Sequence, residues 1–212
     1  MMRAGLMCIA LLAGVLWLSG CAMRSPPVEF YTLSPLESSA DEKTSTVAPE
    51  LRALAIGPLV MPRYLDRDSI VTRANQNRLQ INEYQRWSSS LESDFLKTLG
   101  NNLGRLLDTQ RIVVYPATPR FPIRYRITFE VQQFEGTLGE QVTLDVRWLV
   151  TDAESDQVVA IERSVINQAV ENSSYDALVA AHSATLATLS QAIAARVLTL
   201  AQTPPAVHLQ QE

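Results

Sequence analysis

Two cysteines and two histidines in 212 residues exclude much of enzyme chemistry before any fold is considered. Cys8 and Cys21 cannot make a CxxC pair, and with histidines this sparse no zinc-type spacing exists. His182 sits alone in an apolar helical arc, where a histidine reads as a core or interface residue, and His208 falls in the last few positions. GxSxG, HExxH and phosphate-cradling glycine loops are all missing, so hydrolase, zincin and NTPase readings have nothing to stand on. Clustered cations are missing too. Eighteen Lys and Arg against 22 Asp and Glu leave a net charge of −4 with no basic run, which argues against nucleic acid as a partner. Asp66-Arg67-Asp68 is the nearest thing to an acidic pair, but i, i+2 carboxylates around an arginine make a solvated turn with too few oxygens for calcium. The expectation is therefore no catalytic residue, no metal and no cofactor.

What is present begins at the first residues. Arg3 is followed by an apolar or small run, Ala4 to Leu18, laid out as a secretory signal peptide. The run is shorter than the roughly 20 residues a membrane span needs. Leu18-Ser19-Gly20-Cys21 resembles the bacterial lipoprotein signal. The resemblance implies cleavage before Cys21, an S-diacylglycerol on its thiol and an N-acyl chain on its new amine. One acyl chain holds a protein only reversibly and two or three hold it stably, at about 0.8 kcal/mol per buried methylene. The expected protein is thus anchored to a membrane and does not span it. Ala22, where an Asp would favour inner-membrane retention, implies by likeness to enteric lipoproteins an outer-membrane anchor with the domain in the periplasm. Once residues 1–20 are removed, Cys21 is the only thiol, so the fold stands on packing without an intrachain disulfide.

Residues 21–50 read as a lipidated tether and mobile loop: Ser25-Pro26-Pro27 opens it and "SPLESSADEKTSTVAPE" (34–50) closes it, with "EFYTL" (29–33) as a brief strand between. The eight residues between Cys21 and Phe30 reach roughly 30 Å at most, so the domain must sit close to the membrane. A single globular domain is expected over 51–202 and a disordered tail over 203–212. "LRALAIGPLVMP" (51–62) reads as a buried strand stopped by Pro58 and Pro62. "SIVTR" and "RLQINEY" around "ANQN" make a hairpin. Trp87, Leu91, Phe95, Leu99, Leu103 and Leu107 recur at i+4 as an amphipathic helix, with Ser89 and Glu92 as its capping box. Gly100 and Gly104 read as a close-packing pair.

"RIVVYP" (111–116) is a further strand. Tyr125, Ile127, Phe129 and Val131, then Val142, Leu144, Val146, Trp148 and Val150, alternate with polar residues. With "FEGTLGE" and "DAESDQ" as turns, residues 123–168 read as a three-stranded antiparallel meander. Asn172 to Ser174 cap a long last helix, about 175–201, ended by Pro204 and Pro205. The fold class is α+β: an antiparallel or mixed sheet with two long amphipathic helices on one face, a two-layer sandwich.

"IGPLVMPRYLDRDSIVTR" (56–73) and "RWSSSLESDFLKTLGNNL" (86–103), with "YTL" (31–33) and "VTLDVRWLV" (142–150), resemble the PqiC/YmbA family of auxiliary lipoproteins, which serve MCE-type ABC transport systems. The resemblance runs from the lipid-attachment signal to about residue 165. It implies an outer-membrane lipoprotein that docks a periplasm-spanning MCE-domain protein, forms a homo-oligomeric ring, and does no bond chemistry itself. Physically, Pro58 and Pro62 stiffen a strand end, Tyr64 and Leu65 lie near the surface as anchors, and Arg63, Arg67 and Arg73 orient a partner, with Arg86 and Trp87 completing the set. Aromatic and arginine side chains together are what interface cores favour. The competing reading is a packed loop whose arginines make structural ion pairs. The competing function is a monomeric lipid-binding shuttle with its own cavity; a lipid-anchored enzyme, which would have to use His182, is the weakest of the three.

Overall fold

The computed structural model describes residues 26–37 and 53–202. The signal peptide, Cys21, the first part of the tether, the loop after residue 37 and the tail from 203 lie outside the described residues, and so do the expectations placed on them. In chain order the elements are β1 (Glu29–Tyr31), β2 (Leu54–Val60), a 3-10 turn (Arg63–Leu65), β3 (Ser69–Asn75), β4 (Arg78–Trp87), α1 (Leu91–Leu106), β5 (Ile112–Val114), β6 (Tyr125–Gly136), β7 (Gln141–Asp152), β8 (Gln157–Ala169) and α2 (Tyr175–Gln202). The eight strands form one open mixed sheet with the two helices packed on it, an α+β fold.

Alternation builds the meander: β6, β7 and β8 pair antiparallel in sequence, with Ile127↔Val150 and Leu144↔Ile166 among the registers. The period of two breaks once. A bulge between Val131 and Gln133 shifts the phase so that Phe134 pairs with the buried Leu144, and Glu135 beside it is buried as well; β6 runs on to Gly136 and the expected turn begins later, at Thr137. The edge of β6 away from β7 is shared. β2 lies parallel to its first half, and β3 meets its far end at Thr72↔Gly136. The Arg63–Leu65 turn is the bridge between those two segments. β5 extends the sheet beyond β2; β4 pairs antiparallel with β3, and β1 lies parallel to the end of β4.

Pro58 does not stop β2. The register with β6 shifts between Ile56 and Leu59, so the residue without an N–H falls in a bulge and pairing resumes at Leu59↔Phe129 and Val60↔Glu130. Gly57 makes the bulge possible: its φ is +101°, and a Cβ there would lie 2.8 Å from Tyr115 Cβ.

Helix α1 starts one residue later than expected, because Ser90, in place of Ser89, accepts from Ser93 N–H at 3.2 Å. Trp87 is accordingly the last residue of β4 and no part of the helical stripe. Gly100 lets the helix settle on β5, since a Cβ there would lie 2.7 Å from Val114 Cγ2. Ser174 caps α2 by accepting from Ala177 N–H at 3.1 Å. Leu178, Leu186, Leu189, Ile193 and Val197 of α2 are fully buried, so its apolar stripe belongs to the core shared by sheet and helices.

Residues 32–36 cross the two helices and are fastened there. Thr32 Oγ1 and Leu33 N–H donate to the buried Asp94 carboxylate at 3.0 and 2.7 Å. Ser34 N–H reaches Ser183 Oγ at 3.0 Å, and Leu36 N–H reaches Asn102 Oδ1 at 2.7 Å. Asn102 in turn donates to Ser190 Oγ on α2 at 3.1 Å. Buried polar groups need such partners, and here the partners stitch the N-terminal segment to both helices.

Candidate functional site

The turn between β2 and β3 is held by a carboxylate that the alternating pattern hides. Glu135, only 1% exposed, accepts from Tyr64 Oη at 2.9 Å, from Arg73 Nε at 2.9 Å and Arg73 Nη2, and from Phe134 N–H at 3.1 Å. Burial, and then the bond to Glu135, push the Tyr64 phenol well above the ordinary tyrosine range. With four donors aimed at two oxygens, Glu135 has no capacity left to act as a base on a bound molecule. Its chemistry is structural: it fixes Tyr64 and Arg73 against the end of β6.

The expected docking residues therefore divide. Leu65, 3% exposed, is part of the core, and so is Trp87, whose ring stands edge-on to His182 at 5.7 Å. Neither is available as a surface anchor, because the turn folds its apolar side chain under itself and the last side chain of β4 packs against α2. Tyr64 and Arg73 are half-buried and committed to Glu135, as the ion-pair reading has it. Pro58, Arg63 and Arg67 are exposed, and Pro62 and Arg86 are partly so. Val60, which no motif singled out, is 63% exposed beside them. Arg67 Nε donates to the Tyr64 carbonyl at 2.8 Å, and Arg67 N–H to the Leu65 carbonyl at 2.9 Å, so the exposed arginine caps the turn it leaves. Arg86 Nε donates to the Glu83 carbonyl at 3.0 Å. The turn is thus a knuckle pinned from below by Leu65, Tyr64 and Arg73, which presents Val60, Arg63 and Arg67 outward.

His182 is buried and satisfied. Its Nδ1–H donates to the Leu178 carbonyl at 2.8 Å, and its ring lies edge-on to Phe134 at 4.8 Å. Burial pulls its pKa down to about 4, so the ring is neutral. Among the described residues no group of three or more His, Cys, Asp or Glu could hold a metal ion.

Two further surfaces stand out. Strand β8 pairs only with β7 among the described residues, leaving a 13-residue edge open, with Val158, Ile161 and Val165 exposed. Residues 30–36 and the first three turns of α2 border a groove of about 580 Å³.

Two solved structures share the fold. Protein XCC0632 from Xanthomonas campestris, a DUF330 protein, is 13% identical with a TM-score of 0.65, over 82% of this chain and 98% of that one. An uncharacterized protein is 19% identical with a TM-score of 0.65, over 81% and 99%. No curated protein matches the sequence. A family model described as the ABC-type transport auxiliary lipoprotein component matches residues 31–194, which takes in the end of β1, the knuckle, the meander and most of α2. The chain belongs to the family of ABC-type transport auxiliary lipoprotein components.

Proposed function

We propose that this transport auxiliary lipoprotein is anchored in the outer membrane through acylated Cys21 and docks a periplasm-spanning MCE-domain protein as a homo-oligomeric ring, as part of intermembrane lipid transport. The observation that carries the reading is the pinned knuckle. A turn held by Leu65, Tyr64, Arg73 and Glu135 is stiff before it meets a partner, and stiffness lowers the ordering cost of docking. Val60 supplies the apolar contact and Arg63 and Arg67 the cationic one. The open β8 edge, with Ile161 and Val165 beside it, suits pairing between copies. The protein performs no bond chemistry in this scheme; energy coupling belongs to the inner-membrane components.

A photo-cross-linking residue at Arg67, introduced in the full-length chain in cells, tests the reading. Adducts with an MCE-domain protein support docking through the knuckle, and adducts with a second copy assign it to the ring. No adduct from Arg67 or Arg63 removes the knuckle from the interface. The second reading, a monomeric lipid carrier, is favoured by the groove beside α2. Lipid that stays with the monomer in native mass spectrometry would establish that reading in its place.

A further inference from the structure

Phe30 is 65% exposed in an otherwise well-formed strand. Its neighbour Tyr31 turns the other way, donating to Gln85 Oε1 at 2.5 Å and lying 6.3 Å from the Tyr175 ring, so β1 is fixed in place by its inner residue. Pairing with β4 at Phe30↔Arg86 fixes the outer one just as firmly. Among the described residues nothing covers it. Val28, two positions earlier, is 42% exposed, and Tyr84 on β4 is 40% exposed. The groove that begins at Phe30 is walled by Pro35, Leu36, Val179, Ala180 and Ala184, with Asp176 as its one charged side chain, and α2 carries no further charge before Arg196. On the near wall the Thr32 hydroxyl already has its partner in Asp94, and the Ser34 backbone N–H has its partner in Ser183 Oγ. Taking this corner of the molecule out of water therefore strands few polar groups along that wall.

We infer that Val28 and Phe30 form a membrane-seating patch that enters the interfacial region of the bilayer next to the lipid anchor. The occupant follows from chain length. The inference rests on the reading of Cys21 as the acylated residue, and eight residues between it and Phe30 reach roughly 30 Å at most. The exposed phenyl ring is thus confined within about one bilayer thickness of lipid at all times, and an apolar ring gains by burial at the boundary between headgroups and acyl chains. Acyl chains hold the protein; the patch sets which side of the sheet faces the membrane. A ring that inserts at the start of β1 orients the whole domain, because β1 is locked to β4 and to the helices.

The test uses the full-length lipidated protein carrying Phe30→Trp, purified from membranes and placed in phosphatidylcholine vesicles with or without bromine on the acyl chains. Wild-type Trp87 and Trp148 are buried and supply a constant background. The introduced indole is expected to emit at shorter wavelength on vesicles than in detergent-free solution, and to be quenched by brominated lipid and protected from acrylamide. An indole that floats with the vesicles yet stays acrylamide-accessible and insensitive to bromine overturns the inference while leaving the anchor intact. Shielding that tracks protein concentration without vesicles assigns the patch to a second copy and also overturns it. If the wild-type chain does not float, the anchor reading itself has failed. Phe30→Cys labelled with an environment-sensitive dye reads the same three outcomes should the tryptophan variant fold poorly.

Discussion

Replacing Arg73 with methionine keeps most of its aliphatic packing and removes the cation that faces Glu135. The carboxylate would remain at 1% exposure with Tyr64 Oη and Phe134 N–H as its donors. Breaking a buried ion pair by deleting one partner costs roughly 3–5 kcal/mol. Arg73 itself keeps 29% of its side chain in water, so solvent already weakens the attraction, and the lower end applies, about 3 kcal/mol. For a domain of this size each kcal/mol moves the melting temperature by roughly 2–4 °C, so the expected fall is about 6–12 °C by circular dichroism. Arg73→Met combined with Glu135→Gln leaves no buried charge and should recover at least half of the loss, a coupling that separates the ion pair from general damage. A fall of under about 2 °C for Arg73→Met, or a double variant that melts at the sum of the two single losses, would refute the claim that Glu135 pins the knuckle.

The neutral His182 ring makes stability depend on pH. Its pKa is about 4 when folded and near 6.5 in the unfolded chain, so as pH falls through that window the unfolded state takes up a proton that the native state refuses. The His182 contribution should drop by about 3 kcal/mol between pH 6.5 and 4, with the depressed Asp145 and Asp152 carboxyls adding a further loss at lower pH; His182→Gln should flatten the upper segment in urea titrations run at each pH. Gly57→Ala forces a side chain into φ +101° and against Tyr115, and should lower stability by about 2 kcal/mol in the same assay. Asp94→Ala removes the acceptor for Thr32 and Leu33, and should speed hydrogen exchange across 30–36 by roughly tenfold or more while the β6–β7 amides stay protected. Arg67→Ala should leave the melting curve within about 0.5 kcal/mol of wild type, whereas Tyr64→Ala, which deletes a donor to Glu135, should not.

The meander, both helices and the hairpin are legible in the sequence because their apolar residues keep one period over many positions. Legibility fails wherever the period is interrupted. "VQQFEG" carries the bulge that precedes the buried Glu135, and its only outward sign is two adjacent polar residues inside an alternating run. Pro58 reads as a stop because a proline cannot donate to a ladder; the register shift that accommodates it depends on the Gly57 backbone and on β6, which is remote in sequence. Composition singles out the knuckle but not the inward direction of Leu65, since a three-residue turn has no period to read. Trp87 misleads in the opposite way, because its i+4 spacing to Leu91 continues the helical stripe across a strand end. Asp94 and Asn102 look like ordinary polar positions on a helix until the N-terminal segment is laid across them.

That crossing segment gives the domain a mechanical property. A pull on residue 26 along the axis of β1 loads the three registers with β4 in shear, and the hydrogen bonds of Leu33 to Asp94, Ser34 to Ser183 and Leu36 to Asn102 lie directly behind them in the chain. These attachments resist together and cannot be unzipped singly, and they end on both long helices through the Asn102–Ser190 link. Tension arriving from the N-terminus is therefore shared between the end of β4 and the two helices, so the sheet and the helix layer are loaded together and no single attachment carries the pull alone.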